Sequence, residues 1–134
     1  YISMKNIDGK DVERPISPHL QIYKPQITSV LSISHRLSGI FLGLGLVFSV
    51  FYVFFLALGE QSYTIWQCFS NSLIGNVLLF FWLLALVFHA LNGLRHLLWD
   101  IDVGMSLDYV KWSGIAVCIF SLVLSFILAI LIWV

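Results

Sequence analysis

The sequence has few charged residues. Lysine, arginine, aspartate and glutamate together make up 10% of its 134 residues, whereas about a quarter of the residues of a soluble domain are charged. So few charges cannot cover a water-facing surface, and the mean hydropathy of +0.95 agrees with this interpretation. The composition therefore predicts a membrane protein.

The scarcity of cysteine and the balanced charge exclude other classes of protein. Cys68 and Cys118 lie far apart and form no CxxC pair, so cysteine can build neither a zinc site nor an iron–sulfur cluster here. We interpret both as small apolar side chains. Seven basic residues balance seven acidic ones, which argues against a nucleic-acid partner. The polar, proline-containing first 30 residues do not resemble a cleavable signal peptide.

Three uncharged apolar runs each predict a transmembrane helix. A bilayer core needs about 20 helical residues, and each run reaches that length once its polar ends are included. We predict an all-α membrane protein with three transmembrane helices over about 30–58, 73–99 and 112–134, in a membrane domain of residues 30–134. Residues 1–29 would form an extended N-terminal surface segment. Its prolines prevent a continuous helix over Arg14–Pro25, which favours a strap where soluble subunits dock.

Basic residues are concentrated on one side of the predicted spans. Five of the seven come before the first apolar run, which begins at Ile40, and the connection 59–72 has none. The positive-inside rule therefore places the N-terminus and the 100–111 loop on the inner side of the membrane. Aromatic residues near the predicted interfaces are typical of this arrangement: Tyr63, Trp66, Trp99, Tyr109 and Trp112. The start of the first helix and the end of the second then share the inner leaflet.

Polar residues form one stripe on each of two helices in that leaflet. Both stripes have the spacing i, i+3, i+4, i+7, i+11, which keeps them on one helical face. The first stripe is Ser32, His35, Arg36, Gly39 and Gly43, and the second is His89, Asn92, Gly93, His96 and Asp100. The glycines alone would fit ordinary helix packing. An ionisable residue costs about 2.5–3.5 kcal/mol or more at the bilayer centre, so the whole set favours a functional site.

His89 lies deepest in the predicted membrane. If Asp100 marks the inner interface, His89 is about 16 Å deeper along the helix, close to the midplane of a core about 30 Å thick. A histidine cannot extend to water from that depth and needs a partner in the dry interior. We interpret it as a neutral ligand of a haem iron; a hydrogen bond to a neighbouring helix is the alternative.

A second axial ligand must come from another helix. Two axial nitrogens lie about 4 Å apart, whereas His96 is about 10 Å from His89 along the helix axis. His35 and a residue of a partner chain are both open as the second ligand. His96, nearer the interface, is better placed to bond a haem propionate or to orient Arg95 and Asp100.

Arg36 and Ser32 are candidates for binding a ligand near the inner leaflet. Arg36 would bind haem propionates in a bidentate manner or donate to a quinone carbonyl; extension to a lipid phosphate is the alternative. Ser32 lies one turn shallower on the same face and could donate to a quinone oxygen. A serine bonded to its own backbone is the common alternative.

Three motifs resemble those of the cytochrome b large anchor subunit of succinate dehydrogenase, respiratory complex II. They are RPISPHLQIYKPQ at 14–26, SISHRLSG at 32–39 and HALNGLRHLLWD at 89–100. Their order and the three-span plan match over most of the chain. No position of these motifs departs from the family's pattern.

The resemblance implies a haem b shared with a small membrane anchor subunit that provides the second axial ligand. It implies that His89 is the axial ligand in this chain, and that His35, Arg36 and His96 surround the propionates. Ser32 and Arg36 would line a ubiquinone site beside an iron–sulfur subunit. Because the chain has no flavin motif, succinate oxidation would belong to a flavoprotein subunit. Asp100 is a candidate for a proton path to the quinone.

Two other functions are compatible with the same residues. The anchor of a quinol:fumarate reductase would run the transfer in reverse, because its direction depends on the quinone potential. A structural or proton-relay membrane protein without haem would use the polar stripes for proton transfer. A bacterial plasma membrane and a mitochondrial inner membrane are equally compatible locations, with the N-terminus on the cytoplasmic or matrix side.

Overall fold

The computed structural model describes residues 2–5, 11–14 and 24–133, with side chains over 24–132. Strands β1 (Ile2–Lys5) and β2 (Asp11–Arg14) precede helices α1 (Ile27–Ala57), α2 (Glu60–Ser70), α3 (Leu73–Asp100) and α4 (Leu107–Trp133). The two strands pair antiparallel, with Ile2 opposite Arg14.

Three of the helices, α1, α3 and α4, are long and apolar enough to cross a membrane. The prediction of an all-α membrane protein with three transmembrane helices is confirmed. Helices α1 and α4 begin at Ile27 and Leu107, before the apolar runs do. The difference arises because hydropathy detects only the part of a helix that suits lipid, whereas backbone hydrogen bonds continue into the flanking polar turns.

The N-terminal segment is extended where the structure describes it. Its two short strands form a hairpin that the sequence pattern did not predict. Residues 24–26 are neither helix nor strand, and Gln26 has an extended backbone directly before α1. The greater part of the predicted strap Arg14–Pro25, residues 15–23, lies outside the described residues.

The connection between the first two spans contains the unpredicted helix α2. Gly59 turns the chain with a φ of 105°, a conformation that glycine adopts readily. At the other end, the Ser72 hydroxyl accepts the Gly75 N–H at 3.1 Å and caps α3. Trp66 packs α2 against α1, with its ring centroid 5.9 Å from Tyr52 and 6.1 Å from Phe55. Helix α2 was not predicted because its 11 residues are of mixed polarity and contain no long apolar run.

The helices bury polar side chains and expose apolar ones. Within 24–132, the buried hydrophobic residues are Leu31 and Val87, and the buried polar residues are Ser38, Asn92, Arg95, Ser121 and Ser125. Large apolar side chains are exposed along α1, α3 and α4. This distribution suits a bilayer, because lipid tails solvate apolar side chains while polar groups need partners inside the protein.

Helix α3 lies between α1 and α4 and contacts both. Helices α1 and α3 run antiparallel, which brings the first half of α1 against the second half of α3. The two predicted polar stripes lie in those halves. The fold therefore places both stripes at one end of the helix bundle.

Candidate functional site

Three imidazoles from two helices form a cluster where α1 meets α3. The rings of His35 and His89 stack with centroids 4.0 Å apart and an interplanar angle of 10°. His96 lies 5.4 Å from His35 in a tilted arrangement. The structure thus brings the histidines of both stripes together, and the stripes face each other over this region.

Two glycines of the stripes make room for the stacked rings. A Cβ added to Gly39 would lie 3.0 Å from Cε1 of His89, and one added to Gly93 would lie 3.7 Å from Cε1 of His35. Each helix therefore presents a glycine to the imidazole of the other. In the described chain these glycines thus admit a flat ring close to the backbone.

Replacing Gly39 by alanine should displace His89, because 3.0 Å is too short for an ordinary Cβ contact. Gly43→Ala is the matched control, since no atom lies within 4 Å of its added Cβ. If His89 binds a haem, as the sequence predicts, haem content per assembled complex should fall at least about twofold in Gly39→Ala, corresponding to about 0.4 kcal/mol, and stay unchanged in Gly43→Ala. Equal haem content in both variants would contradict the close approach of His89 to Gly39.

His89 makes its described hydrogen bonds through one ring nitrogen. Its Nδ1 lies 3.0 Å from the Ser38 hydroxyl and 3.2 Å from the backbone carbonyl of His35. The Ser38 hydroxyl also donates to that carbonyl at 2.7 Å. Ser38 is a buried residue that the sequence reasoning missed, although it stands one turn after His35. The other nitrogen of His89, Nε2, is left for a further ligand.

The stacking of His35 on His89 bears on the choice of a second axial ligand. Opposite axial imidazoles point their coordinating nitrogens at one iron from two sides, about 4 Å apart and on one line. Two rings that lie face to face at 4.0 Å are side by side instead. In this arrangement His35 and His89 do not take opposite positions about one iron.

Arg95 is a buried cation between α3 and α4. Its Nη2 donates to the carbonyl of Val110 at 2.7 Å, and its Nε donates to the Ser113 hydroxyl at 2.9 Å. Its Nη1 donates to Oδ1 of Asn92 at 3.3 Å, and the guanidinium lies 4.1 Å from the ring centroid of Trp99. Of the two roles predicted for His96, binding a propionate or orienting Arg95 and Asp100, the described hydrogen bonds of Arg95 do not involve the second, because they go to α4 and to Asn92 of its own helix.

A cavity of about 370 Å³ opens beside this cation. It is lined by Thr28, Ser32, Arg95, His96, Trp99, Met105 and Val110. The side chains of this lining are rich in hydrogen-bond donors. Nε1 of Trp99 is buried and has no partner among the described residues, and the same holds for the nearby Nδ1 of His35. The cavity therefore suits a ligand that accepts hydrogen bonds.

The predicted site residues fall into two groups. Ser32 and His96 line the cavity, while His35 and His89 stack next to it. Arg36 and Asp100 are exposed and are not part of the cavity lining. Sequence reasoning missed Trp99 as a site residue, although its position one turn after Arg95 could have indicated a shared face.

A larger cavity of about 510 Å³ lies at the opposite end of the bundle. Its lining is mostly apolar and includes Tyr52, Trp66 and Trp82. It lies between α1, α2 and α3 and shares no residue with the donor-rich cavity. Both cavities combine apolar surface with hydrogen-bond donors, so neither size nor lining alone identifies a functional site. We favour the smaller cavity because it lies beside the imidazole cluster and is lined by Ser32 and His96.

Comparison with known proteins assigns the family. A family model described as the succinate dehydrogenase/fumarate reductase transmembrane subunit matches residues 10–128. The chain belongs to this family. The matched range includes every residue of the imidazole cluster and of the donor-rich cavity.

Relatives within this family are similar over most of the chain. The succinate dehydrogenase cytochrome b560 subunit of Marchantia polymorpha is 43% identical over 78% of this chain and 80% of its own length. The b560 subunit of Reclinomonas americana is 34% identical over 100% and 94% of the two chains. The cytochrome b556 subunit of Rickettsia prowazekii is 40% identical over 87% and 90%.

Proposed function

We propose that this chain is a membrane anchor of succinate:ubiquinone oxidoreductase that binds haem b through His89 and forms part of the site where ubiquinone is reduced. Electrons would come from an iron–sulfur subunit, which a flavoprotein subunit supplies. A small membrane anchor subunit would complete the haem site. The names of the relatives support this assembly, since they are succinate dehydrogenase cytochrome subunits.

The orientation of His89 carries the proposal. Metal-bound histidines usually give one ring N–H to a backbone carbonyl or a carboxylate and bind the metal through the other nitrogen. His89 has this arrangement, with Nδ1 beside the carbonyl of His35 and Nε2 left for a metal. The residues therefore fit haem b, which when bound would supply one-electron transfer at its iron. The stacked His35 supports a second ligand from the small anchor subunit.

The propionates of the haem would lie toward His35 and His96. The buried, unpartnered Nδ1 of His35 can hydrogen-bond a carboxylate. His96 lies between His35 and the donor-rich cavity. Arg36 is exposed on α1 and would reach a propionate or the quinone from the side where a partner subunit adds to the site.

The donor-rich cavity would hold the quinone head group. A quinone has two carbonyl oxygens, and both accept hydrogen bonds. Ser32 and Trp99 would donate to them from α1 and α3, with the Arg95 guanidinium nearby. These groups would hold the ring in place and stabilise the negative charge that develops on its oxygens during reduction. Protons would enter from the inner aqueous side past the exposed Asp100.

Ser32→Ala should lower quinone reductase activity several-fold, up to about tenfold, because a hydrogen bond contributes about 0.5–1.5 kcal/mol. Succinate oxidation with a soluble electron acceptor should persist, since that reaction bypasses the anchor. Ser34→Ala is the matched control, because Ser34 lies on the same helix and does not line the cavity. Equal loss of both activities in Ser32→Ala would count against the quinone assignment.

The family also includes fumarate reductase anchors, so the reverse reaction is the second candidate. The same donors would then bind a quinol and its oxidised product. Rates of fumarate reduction and succinate oxidation, measured on the intact complex with its native quinone, distinguish the two directions. We favour succinate oxidation because the relatives described above are named for it.

The distribution of basic residues supports an orientation with the N-terminus on the cytoplasmic or matrix side. In that orientation the donor-rich cavity faces the inner leaflet, where soluble subunits would dock. The relatives include a protein of the bacterium Rickettsia prowazekii and a mitochondrial protein of Mus musculus. A bacterial plasma membrane and a mitochondrial inner membrane both fit the proposal.

A further inference from the structure

We propose that Ser38 is a positioning residue that, with the backbone carbonyl of His35, fixes the ring orientation and tautomer of His89. This inference rests on the proposed function, in which His89 binds the haem iron. Ser38 belongs to neither predicted stripe. It is one of the few buried polar residues, with 9% of its surface exposed.

The position of hydrogen atoms around His89 follows from counting donors. A serine hydroxyl has a single hydrogen, and Ser38 donates it to the carbonyl of His35 at 2.7 Å. Toward Nδ1 of His89, at 3.0 Å, the Ser38 oxygen can then only accept. The His35 carbonyl, 3.2 Å from the same nitrogen, has no hydrogen to give. Two acceptors therefore face Nδ1, an arrangement that favours the tautomer with the ring hydrogen on Nδ1.

The hydrogen on Nδ1 leaves the lone pair of the neutral ring on Nε2. That nitrogen is then ready to bind a metal without a change of tautomer. Donation from Nδ1–H to the two oxygens also increases the electron density on Nε2, which strengthens its bond to iron and favours the oxidised metal. Ser38 would thus affect both the retention of the haem and its reduction potential.

The local helix geometry explains why this position suits serine. Ser38 follows His35 by one turn, so its hydroxyl reaches the His35 carbonyl within α1. The next residue, Gly39, has no side chain, and the ring of His89 comes within 3.0 Å of a Cβ placed there. The ring is therefore held between an open backbone and the Ser38 hydroxyl. Without the hydroxyl, Nδ1 would keep a single, longer bond to the carbonyl.

The test compares Ser38→Ala with the wild type in the intact membrane complex, at equal flavin content. We expect haem loss to an excess of apomyoglobin to become about tenfold faster, since the partners of metal-binding histidines typically contribute 10–100-fold in affinity. The haem midpoint potential should rise, by up to about 59 mV for a tenfold change in the one-electron equilibrium. Ser49→Ala is the matched control, because Ser49 bonds the Gly45 carbonyl on the same helix at 3.0 Å.

Threonine and valine at position 38 separate hydrogen bonding from packing. They have the same shape, but only threonine keeps a hydroxyl. Faster haem loss in Ser38→Val than in Ser38→Thr supports the proposal. If Ser38→Thr assembles into the complex and Ser38→Val does not, that result supports it as well. Equal behaviour of these two variants, or wild-type haem retention and potential in Ser38→Ala, would overturn it. If His89→Ala keeps its haem, the ligand assignment itself fails, which is a separate result.

Discussion

Replacing His89 by alanine is expected to abolish the b-type absorption of the purified complex. The α band in a reduced-minus-oxidised spectrum measures this, and we expect at least about a tenfold loss of haem at equal flavin content. The large effect follows because His89 would be the iron ligand that the described part of this chain supplies. Loss of a side chain that hydrogen-bonds a metal-binding histidine costs about 10–100-fold in metal affinity, and removal of the ligand itself should cost no less.

His96→Ala is the matched control for this experiment. It removes a histidine from the same helix and the same cluster, 5.4 Å from His35, without removing the proposed ligand. We expect the α band to persist in this variant. An unchanged band in His89→Ala would end the ligand assignment. A wild-type complex without pigment, but with proton flux, would favour a proton relay instead.

Replacing Arg95 by alanine is expected to destabilise the packing of α3 on α4. Arg95 is 5% exposed, and its guanidinium donates to acceptors on Asn92, Ser113 and Val110. A buried acceptor left without a donor costs about 1–3 kcal/mol, and hydrogen bonds between membrane helices average about 0.6 kcal/mol. We therefore expect the free energy of unfolding to fall by about 2 kcal/mol from the lost hydrogen bonds. The cavity that the missing side chain leaves would add to this loss.

Thermal disassembly of the detergent-solubilised complex measures this loss. Arg36→Ala is the matched control, because Arg36 is an exposed arginine on α1. It should leave thermal stability unchanged, whatever it does to quinone reduction. Arg95→Lys should be intermediate, since an ammonium group cannot reproduce the planar fork of a guanidinium. Equal stability of Arg95→Ala and Arg36→Ala would show that the Arg95 network contributes little to packing.

The histidine cluster could be predicted from the sequence because helical spacing determines which residues share a face. His35 and His89 each lie on a polar stripe in an otherwise apolar segment, and two such stripes gain by facing each other. The three spans were predictable for the same reason, since length and hydropathy are local properties. The prediction of the three spans did not depend on how the helices pack against each other.

The partners of individual side chains could not be predicted in this way. Spacing placed Asn92 on the stripe of His89, yet its oxygen bonds Arg95, which spacing left off that stripe. Such details depend on the rotation and depth of each helix relative to its neighbours. The short helix α2 was missed because its amphipathic sequence contains no long apolar run.

The reciprocal fit of glycine and imidazole between α1 and α3 limits how these helices can slide. Gly39 receives His89, and Gly93 receives His35. A shift of one residue is about 1.5 Å along the axis and also turns the helix by about 100°, which would push each ring against a side chain instead of a bare backbone. Helices α1 and α3 therefore pack in a single register. Nε2 of His89 then stays at a constant depth below the membrane surface, and a redox group bound there would keep a constant distance from an electron donor docked outside.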